Sequence, residues 1–286
     1  MIPATRFQFL DKTFWAHVRT ISQILGYTSK GQNQIRVYTV REMAQALQRI
    51  GLITNHLIDE TGQPTLLANR LHDYFEYRAT QLNYYVEPRL MDVQRAAAEF
   101  EKLRQVLGSQ RTFSFNKQKG EKKNIAYLTA IANLIIEANL EGSQCDYDPH
   151  TLTTFTRYGA PLRTLARRVD GCFPSTVNPI AIWEIKEYYY TTTFGSRVAD
   201  GVYETLLDGL ELEELREHEG IDVHHLLIVD AHYTWWIKGR SYLCRLIDML
   251  HMGYVDEILF GYEVIERLPA IVQSWVKIAT ERELVD

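Results

Sequence analysis

The run Ile180-Ala181-Ile182-Trp183-Glu184-Ile185-Lys186 has the most informative pattern in the sequence, because four apolar residues lead into two charges that are separated by one residue. Such a short apolar run predicts a strand that enters a core. Side chains two apart on a strand share a face, so Glu184 and Lys186 project together while Trp183 and Ile185 point the other way. Charges beside a core are costly unless they are paired or engaged with a metal or ligand. The run therefore predicts a core strand and, at its end, a functional site.

The segments around this strand alternate between helical and strand patterns. Apolar periodicity predicts a helix upstream over residues 125–140 and a second, short helical stretch before Ala166. Downstream, the pattern predicts two further helix and strand pairs, with helices over 196–215 and 241–251 and strands over 224–230 and 255–262. This order predicts an α/β fold in which helices cover both faces of a mixed sheet.

The first 110 residues have a mostly helical pattern. Thr39 and Glu42 have the spacing of a capping box, and the apolar residues that follow are helical in period. Short helices near an N-terminus are compatible with a helix-turn-helix DNA reader and equally with a small bundle that serves packing or dimerisation. We therefore predict a helical accessory domain over residues 1–110, a basic linker over 111–124 and the α/β domain over 125–286.

The basic linker and one arginine are candidate DNA contacts. The linker is rich in cationic side chains, and Arg197 stands where a helix begins, so its guanidinium and the helix N–H groups would face a phosphate. For the linker, a solvated charged surface is the competing interpretation. The linker lysines proposed as phosphate contacts are Lys117, Lys119, Lys122 and Lys123.

Composition limits the classes of protein that this chain can represent. Its 286 residues carry a net charge of −5, which counts mildly against nucleic acid but leaves room for a local basic surface. No apolar run approaches the roughly 18 residues of a membrane span, and the N-terminus lacks the apolar centre of a signal peptide. The three cysteines form no CxxC pair, and no glycine-rich phosphate loop is present. We expect a cytoplasmic protein with reduced thiols and no nucleotide-driven chemistry.

Asp170 is the predicted partner of the charged pair. It lies fourteen residues before Glu184, at the start of a glycine-containing turn whose return strand would bring the two carboxylates together. Facing carboxylates repel unless a hard divalent cation holds them, and Mg²⁺ prefers a few carboxylate oxygens with water and phosphate in its other positions. Lys186 at the edge of this cluster would orient the attacking water and stabilise charge on a phosphate.

Asp170 followed after thirteen residues by Glu184-Ile185-Lys186 on an apolar strand, and then by a helix and a further strand, resembles the PD-(D/E)XK nuclease superfamily. The likeness is strongest to type II restriction endonucleases and spans residues 125–262. It implies a restriction-endonuclease-like fold in which Asp170 and Glu184 bind Mg²⁺ and Lys186 assists the nucleophilic water. It also implies double-stranded DNA as substrate and action as a homodimer. The sequence departs from the motif at Val169, where the proline that names it would stand.

Glu121 and Glu137 are two further acidic candidates in the sequence. The triplet Glu121-Lys122-Lys123 also has the Glu-x-Lys form, but it lies in a polar segment with no apolar strand around it, and we reject it. On the helix before the sheet, Glu137 shares a face with Asn133, and nucleases of the resembled superfamily often bring an acid from this helix to the metal. A solvent-facing polar stripe is the alternative for Glu137.

The sequence favours a Mg²⁺-dependent endonuclease that cuts double-stranded DNA at a short specific site. One alternative within the superfamily is a repair or phage-defence nuclease that recognises DNA structure or modification. Another, from a different class, is a DNA-binding protein that kept the fold and lost catalysis. A restriction enzyme would be accompanied by a DNA methyltransferase encoded nearby, which protects the host genome.

Overall fold

The computed structural model describes residues 1–29, 31, 33–108, 124–190 and 196–283. Its α-helices alternate with strands in the second half of the chain, as the sequence predicts.

No helix among the described residues has the length and apolarity that crossing a membrane requires. The helices are α1 (Lys12–Leu25), α2 (Val40–Arg49), α3 (Leu66–Thr80), α4 (Val93–Leu107), α5 (Tyr127–Asn139), α6 (Ser196–Glu219), α7 (Arg240–Met252) and α8 (Glu263–Glu283).

A five-stranded mixed sheet forms the centre of the α/β fold, in the spatial order β1, β4, β5, β6, β7. Strand β5, which contains the charged pair, lies in the middle of this order. It pairs antiparallel with β4 and parallel with β6, and β7 continues the parallel half. The strands are β1 (Asp146–Tyr147), β2 (Thr154–Arg157), β3 (Ala160–Thr164), β4 (Gly171–Phe173), β5 (Ala181–Glu187), β6 (His224–Asp230) and β7 (Glu257–Phe260).

Helices cover both faces of the sheet, which confirms the predicted layer order. Trp183 of β5 faces a hydrophobic cluster formed with α4, α5 and α8, where its ring stacks on Trp275 at a centroid distance of 5.6 Å. The opposite face packs on α6 and α7, through apolar residues such as Ile182 and Leu227. Glu184 and Lys186 alternate with Trp183 along the strand, so they lie beneath α6.

The N-terminal helices α1 to α3 form a hydrophobic cluster of their own and are joined to α7 by a buried ion pair. Arg78 of α3 lies 3.0 Å from the Asp248 carboxylate, which also accepts a hydrogen bond from Tyr74. Helix α4 behaves differently, because its Phe100 belongs to the cluster of the sheet and the helix packs on α5. The predicted helical domain over residues 1–110 includes α4, whereas the packing of this helix joins it to the sheet.

The prediction of a short helix before Ala166 is wrong. The chain forms the β-hairpin of β2 and β3 there. The turn between the strands contains Tyr158 at φ 52° and Gly159 at φ 77°, the left-handed pair that a tight hairpin turn requires. Thr154, Phe155 and Thr156 before this turn have strand propensity. The hairpin leads directly into the segment that ends at Asp170.

Candidate metal-dependent hydrolytic site

Strands β4 and β5 bring Asp170 and Glu184 together, as the sequence predicts. Asp170 lies one residue before β4, whose Gly171 pairs with Trp183. Two hydrogen bonds join the segments that carry them: the Ile185 N–H donates to Asp170 Oδ2 at 2.8 Å, and the Asp170 N–H donates to Glu184 Oε1 at 3.2 Å. Glu184 is fully buried, whereas Asp170 lies at the rim of the site, open to solvent.

Lys186 completes the predicted triad and is held by two carboxylates. Its Nζ donates to Glu184 Oε2 at 2.8 Å and to Glu204 Oε2 of helix α6 at 2.9 Å. Gly201, one turn before Glu204, lets α6 approach this closely, because a Cβ there would lie 2.6 Å from the Tyr188 hydroxyl and 3.2 Å from Lys186 Cδ. The lysine is therefore fixed between the sheet and the helix.

Arg167 enters the same cluster from the segment between β3 and β4. Its Nη1 lies 2.9 Å from Glu184 Oε1, and its Nη2 donates to Glu184 Oε2 at 3.1 Å. Nη1 also donates to Asp208 Oδ2 of α6 at 2.6 Å. Asp208 is fully buried, and its Oδ1 has no hydrogen-bond partner among the described residues. Four carboxylates thus meet two cationic side chains.

The carboxyl groups of this cluster have pKa values that are shifted in different directions. Burial alone would raise the pKa of Glu184, but the Lys186 and Arg167 cations hold it below its usual value. Asp208 has the opposite shift, because burial and the Glu184 charge raise its pKa to about 7. The protein atoms packed around the Asp170 carboxylate, together with Glu184, raise the pKa of Asp170 to about 6 even though part of the residue faces solvent. The Glu184 and Asp170 carboxylates raise the pKa of Lys186 against the effect of burial.

Comparison with protein families assigns the part of the chain that contains this site. Residues 91–275 match the family model described as "Domain of unknown function (DUF7687)". The chain belongs to the DUF7687 family. Residues 1–85 match a second model, described as "Domain of unknown function (DUF7690)". The DUF7687 match begins just before α4, in agreement with the packing of that helix on the sheet. Neither the comparison with curated proteins nor that with solved structures gave a match.

Of the remaining predicted site residues, Arg197 lies near the cluster. Arg197 is exposed in the first turn of α6, and its carbonyl oxygen accepts a hydrogen bond from Tyr188, just beyond Lys186, at 3.0 Å. The arginine is thus held at the edge of the candidate site. Residues 111–123 of the predicted basic linker lie outside the described residues, and with them the predicted contacts Lys117, Lys119, Lys122 and Lys123.

The structure does not bring Glu137 to the cluster. Helix α5 packs on the Trp183 face of the sheet, the face opposite Glu184 and Lys186. Its first turn is held at the end of β5, where the Thr129 N–H donates to Glu187 at 3.1 Å. Glu137 follows eight residues later, roughly 12 Å along the helix axis, and is exposed. Helical spacing identified the polar face of α5 correctly, but it carried no information about which face of the sheet α5 would cover.

Sequence reasoning missed three charged residues of this candidate site: Arg167, Glu204 and Asp208. Glu204 and Asp208 are four apart and therefore share one face of α6. Because α6 carries many acidic residues, this pair did not stand out in the sequence. Gly201 was the available signal, since a glycine one turn before Glu204 indicates a close approach of the helix to another part of the chain.

A hard divalent cation fits the donors of this cluster. The candidate ligands are carboxylate oxygens, the donors that Mg²⁺ prefers, and the four carboxylates of the cluster outnumber its two cationic side chains. Within the described residues, no group of three or more His, Cys, Asp and Glu side chains is arranged to hold a metal ion. Mg²⁺ would therefore rely on the two predicted ligands, Asp170 and Glu184, with water and phosphate in its other positions.

Proposed function

We propose that this protein is a Mg²⁺-dependent endonuclease that hydrolyses phosphodiester bonds of double-stranded DNA, with the resembled restriction-endonuclease-like fold. The single observation that carries the proposal is the meeting of Asp170, Glu184 and Lys186, with Lys186 Nζ 2.8 Å from the Glu184 carboxylate. The strand pattern of the sequence and the PD-(D/E)XK resemblance both point to these three residues. Their convergence on adjacent strands supports that choice.

Each member of the triad has a chemical role in this proposal. A bound Mg²⁺ supplies Lewis-acid stabilisation of the charge that develops on the phosphate. Glu184 stays ionised and Asp170 lies at the open rim, so the pair would hold the cation where substrate can reach it. Lys186 is fixed by Glu184 and Glu204, so its ammonium would orient the attacking water and stabilise the transition state without costly reorganisation.

The substrate and assembly follow from the type II restriction endonuclease resemblance. We propose a homodimer that cuts a short specific site in the cytoplasm, with a DNA methyltransferase encoded nearby. Arg197 would contact the DNA backbone close to the cut, because Tyr188 holds its helix turn beside Lys186. The linker lysines Lys117, Lys119, Lys122 and Lys123 would add phosphate contacts. Three free cysteines are compatible with a reducing compartment.

The second candidate function is DNA binding without catalysis. The observation that favours it is the contact of Arg167 with both oxygens of Glu184, which leaves that carboxylate engaged by cations of the protein itself. A repair or phage-defence nuclease would share the catalytic chemistry and differ only in what it recognises on DNA.

Incubation of the purified full-length protein with supercoiled plasmid and Mg²⁺ separates these candidates. Discrete bands indicate a site-specific endonuclease, and smearing or nicking indicates a nuclease that does not read a short sequence. Binding to DNA without any cleavage would overturn the proposed hydrolysis and favour the second candidate. Chelation of Mg²⁺ should abolish cleavage in the first two cases.

The Lys186→Ala variant tests the site. We expect cleavage to fall by at least about 100-fold while DNA binding is retained, because the ammonium acts on the water and on the developing charge. The matched control is Lys277→Ala, which removes an exposed lysine of α8 and should leave cleavage unchanged. Retained cleavage in the Lys186 variant would show that the chemistry lies elsewhere.

A further inference from the structure

Each oxygen of the Glu184 carboxylate is contacted by two nitrogen atoms. Oε1 is contacted by the Asp170 N–H at 3.2 Å and by Arg167 Nη1 at 2.9 Å. Oε2 is contacted by Lys186 Nζ at 2.8 Å and by Arg167 Nη2 at 3.1 Å. A carboxylate offers about four lone-pair sites, so this arrangement leaves no free position for a metal ion. One neighbour must leave before Glu184 can become a ligand.

Arg167 is the neighbour best placed to leave. The Asp170 N–H is part of the backbone that enters β4, and Lys186 is buried on the same strand as Glu184. Arg167 instead projects from a connecting segment, with 22% of its side chain exposed. It contributes both of its contacts to Glu184 through one guanidinium group, so a single movement opens both carboxylate oxygens.

Asp208 provides a second position for the displaced guanidinium. Its Oδ2 already accepts from Arg167 at 2.6 Å, while its buried Oδ1 has no partner among the described residues. An arginine fork pairs best with both oxygens of one carboxylate. A shift of Arg167 from Glu184 onto Asp208 would exchange its contacts with the two Glu184 oxygens for contacts with the two Asp208 oxygens, and it would supply the missing partner of Oδ1.

We propose that Arg167 is a positioning residue that gates the metal site: its guanidinium group occupies both oxygens of Glu184 and moves onto Asp208 when a divalent cation binds. This gate rests on the proposed function, since it takes Asp170 and Glu184 as the ligands. Four carboxylates surround two cationic side chains, so a divalent ion balances their formal charge while the arginine stays within the cluster. The gate makes metal affinity depend on the shape of the Arg167 group as well as on its charge.

Binding of Mn²⁺ alone, measured from the electron paramagnetic resonance signal of the free ion, tests the gate on the full-length protein without DNA. Mn²⁺ accepts the same oxygen ligands as Mg²⁺. Arg167→Lys keeps the positive charge but loses the two-pronged contact with Glu184. We expect this variant to bind Mn²⁺ about tenfold more tightly than the wild type, because at least one charge-assisted hydrogen bond no longer competes with the metal.

Two variants define the site and the control. Asp170→Asn should weaken the same binding event, which places the Mn²⁺ at the candidate site. Arg168→Lys changes the neighbouring, exposed arginine in the same chemical way and should leave the affinity within about twofold of the wild type. Thermal unfolding of each variant checks that it is folded, and Arg167→Gln replaces Arg167→Lys should the latter be unfolded.

The outcomes separate the gate from the function on which it rests. Tighter Mn²⁺ binding by the Arg167 variant supports the gate. Equal affinity of the wild type and Arg167→Lys, with binding lost in Asp170→Asn, overturns the gate and leaves the metal site standing. Absence of Mn²⁺ binding in every variant overturns both the gate and the proposed metal ligands.

Discussion

The two faces of strand β5 hold acidic side chains in different ways. On the α6 face, Glu184 lies between the cations of Lys186 and Arg167, which keep its pKa below the usual value. On the opposite face, Glu187 accepts from the Thr129 N–H and hydroxyl, and burial raises its pKa to about 7. Burial alone therefore raises the pKa of a carboxyl group in this sheet, as it does for Glu187. On the face of the candidate site, the neighbouring cations keep the Glu184 carboxylate ionised.

Asp230, at the end of β6, pairs with Glu187 and lies on the same face of the sheet, opposite the candidate site. It is fully buried and accepts hydrogen bonds from the Met91 and Ala231 N–H groups and from the Tyr189 hydroxyl. Burial raises its pKa to about 7. This carboxylate ties the segment before α4 to the end of the sheet, which is a structural role.

The largest effect on stability is expected from the apolar part of the Trp183 face. Trp183 is fully buried, stacks on Trp275 and lies so close to Gly171 that a Cβ there would be 2.1 Å from its ring. Trp183→Ala would leave a large cavity between β5 and α8. We expect the free energy of unfolding to fall by about 3–5 kcal/mol, measured by denaturant titration.

The control for this substitution is Tyr158→Ala, which removes an aromatic side chain that is fully exposed at the tip of the hairpin. Its unfolding free energy should change by less than about 0.5 kcal/mol. A loss of less than about 1 kcal/mol in Trp183→Ala would show that packing on the Trp183 face contributes little to stability.

A smaller effect, and one that depends on pH, is expected from Asp230→Asn. The folded protein keeps the Asp230 proton up to pH about 7, whereas the unfolded chain releases it near pH 4. Raising the pH between these values therefore favours unfolding, and the full penalty is present above pH 7. Asparagine cannot ionise, its oxygen can accept from the two N–H groups, and its amide can donate to Tyr189. We expect the variant to be more stable than the wild type by about 2 kcal/mol at pH 8 and by much less at pH 5.

Unfolding curves of both proteins at several pH values measure this difference directly, and comparison with the wild type cancels the titration of other groups. Asp222→Asn, at an exposed position after α6, is the matched control and should show no such trend. A stability difference that stays constant from pH 5 to pH 8 would mean that Asp230 is ionised in the folded protein. The two faces would then not differ as described.

Elements with a strong local pattern could be predicted from the sequence. The capping box of Thr39 and Glu42 is present at the start of α2, and the apolar run of β5 lies at the centre of the sheet. The charged pair and its upstream partner also meet as expected, because the spacing of Asp170 and Glu184 suits two adjacent antiparallel strands. Here local chemistry and tertiary structure agree.

Features that depend on tertiary contacts could not be predicted in this way. Helix α8 contains Pro269, which in a sequence signals the end of a helix, yet packing of its apolar face on the sheet stabilises it. Arg167 has an arginine neighbour at position 168, and only the path of the chain shows which of the two meets Glu184. The two-residue spacing that revealed Glu184 and Lys186 has no counterpart for residues on different elements.

The smallest effect is expected from Glu137→Ala, and it tests the assignment of faces most directly. The resemblance predicts Glu137 as an acid at the metal. In the structure, α5 lies on the face opposite Glu184, and Glu137 is exposed near the far end of that helix. We therefore expect Mn²⁺ affinity and plasmid cleavage to change by less than about twofold. Glu184→Gln, measured alongside, should lose Mn²⁺ binding because it removes a ligand. Loss of Mn²⁺ binding in the Glu137 variant would show that an acid from α5 reaches the site, so that chemistry would not be confined to one face of β5.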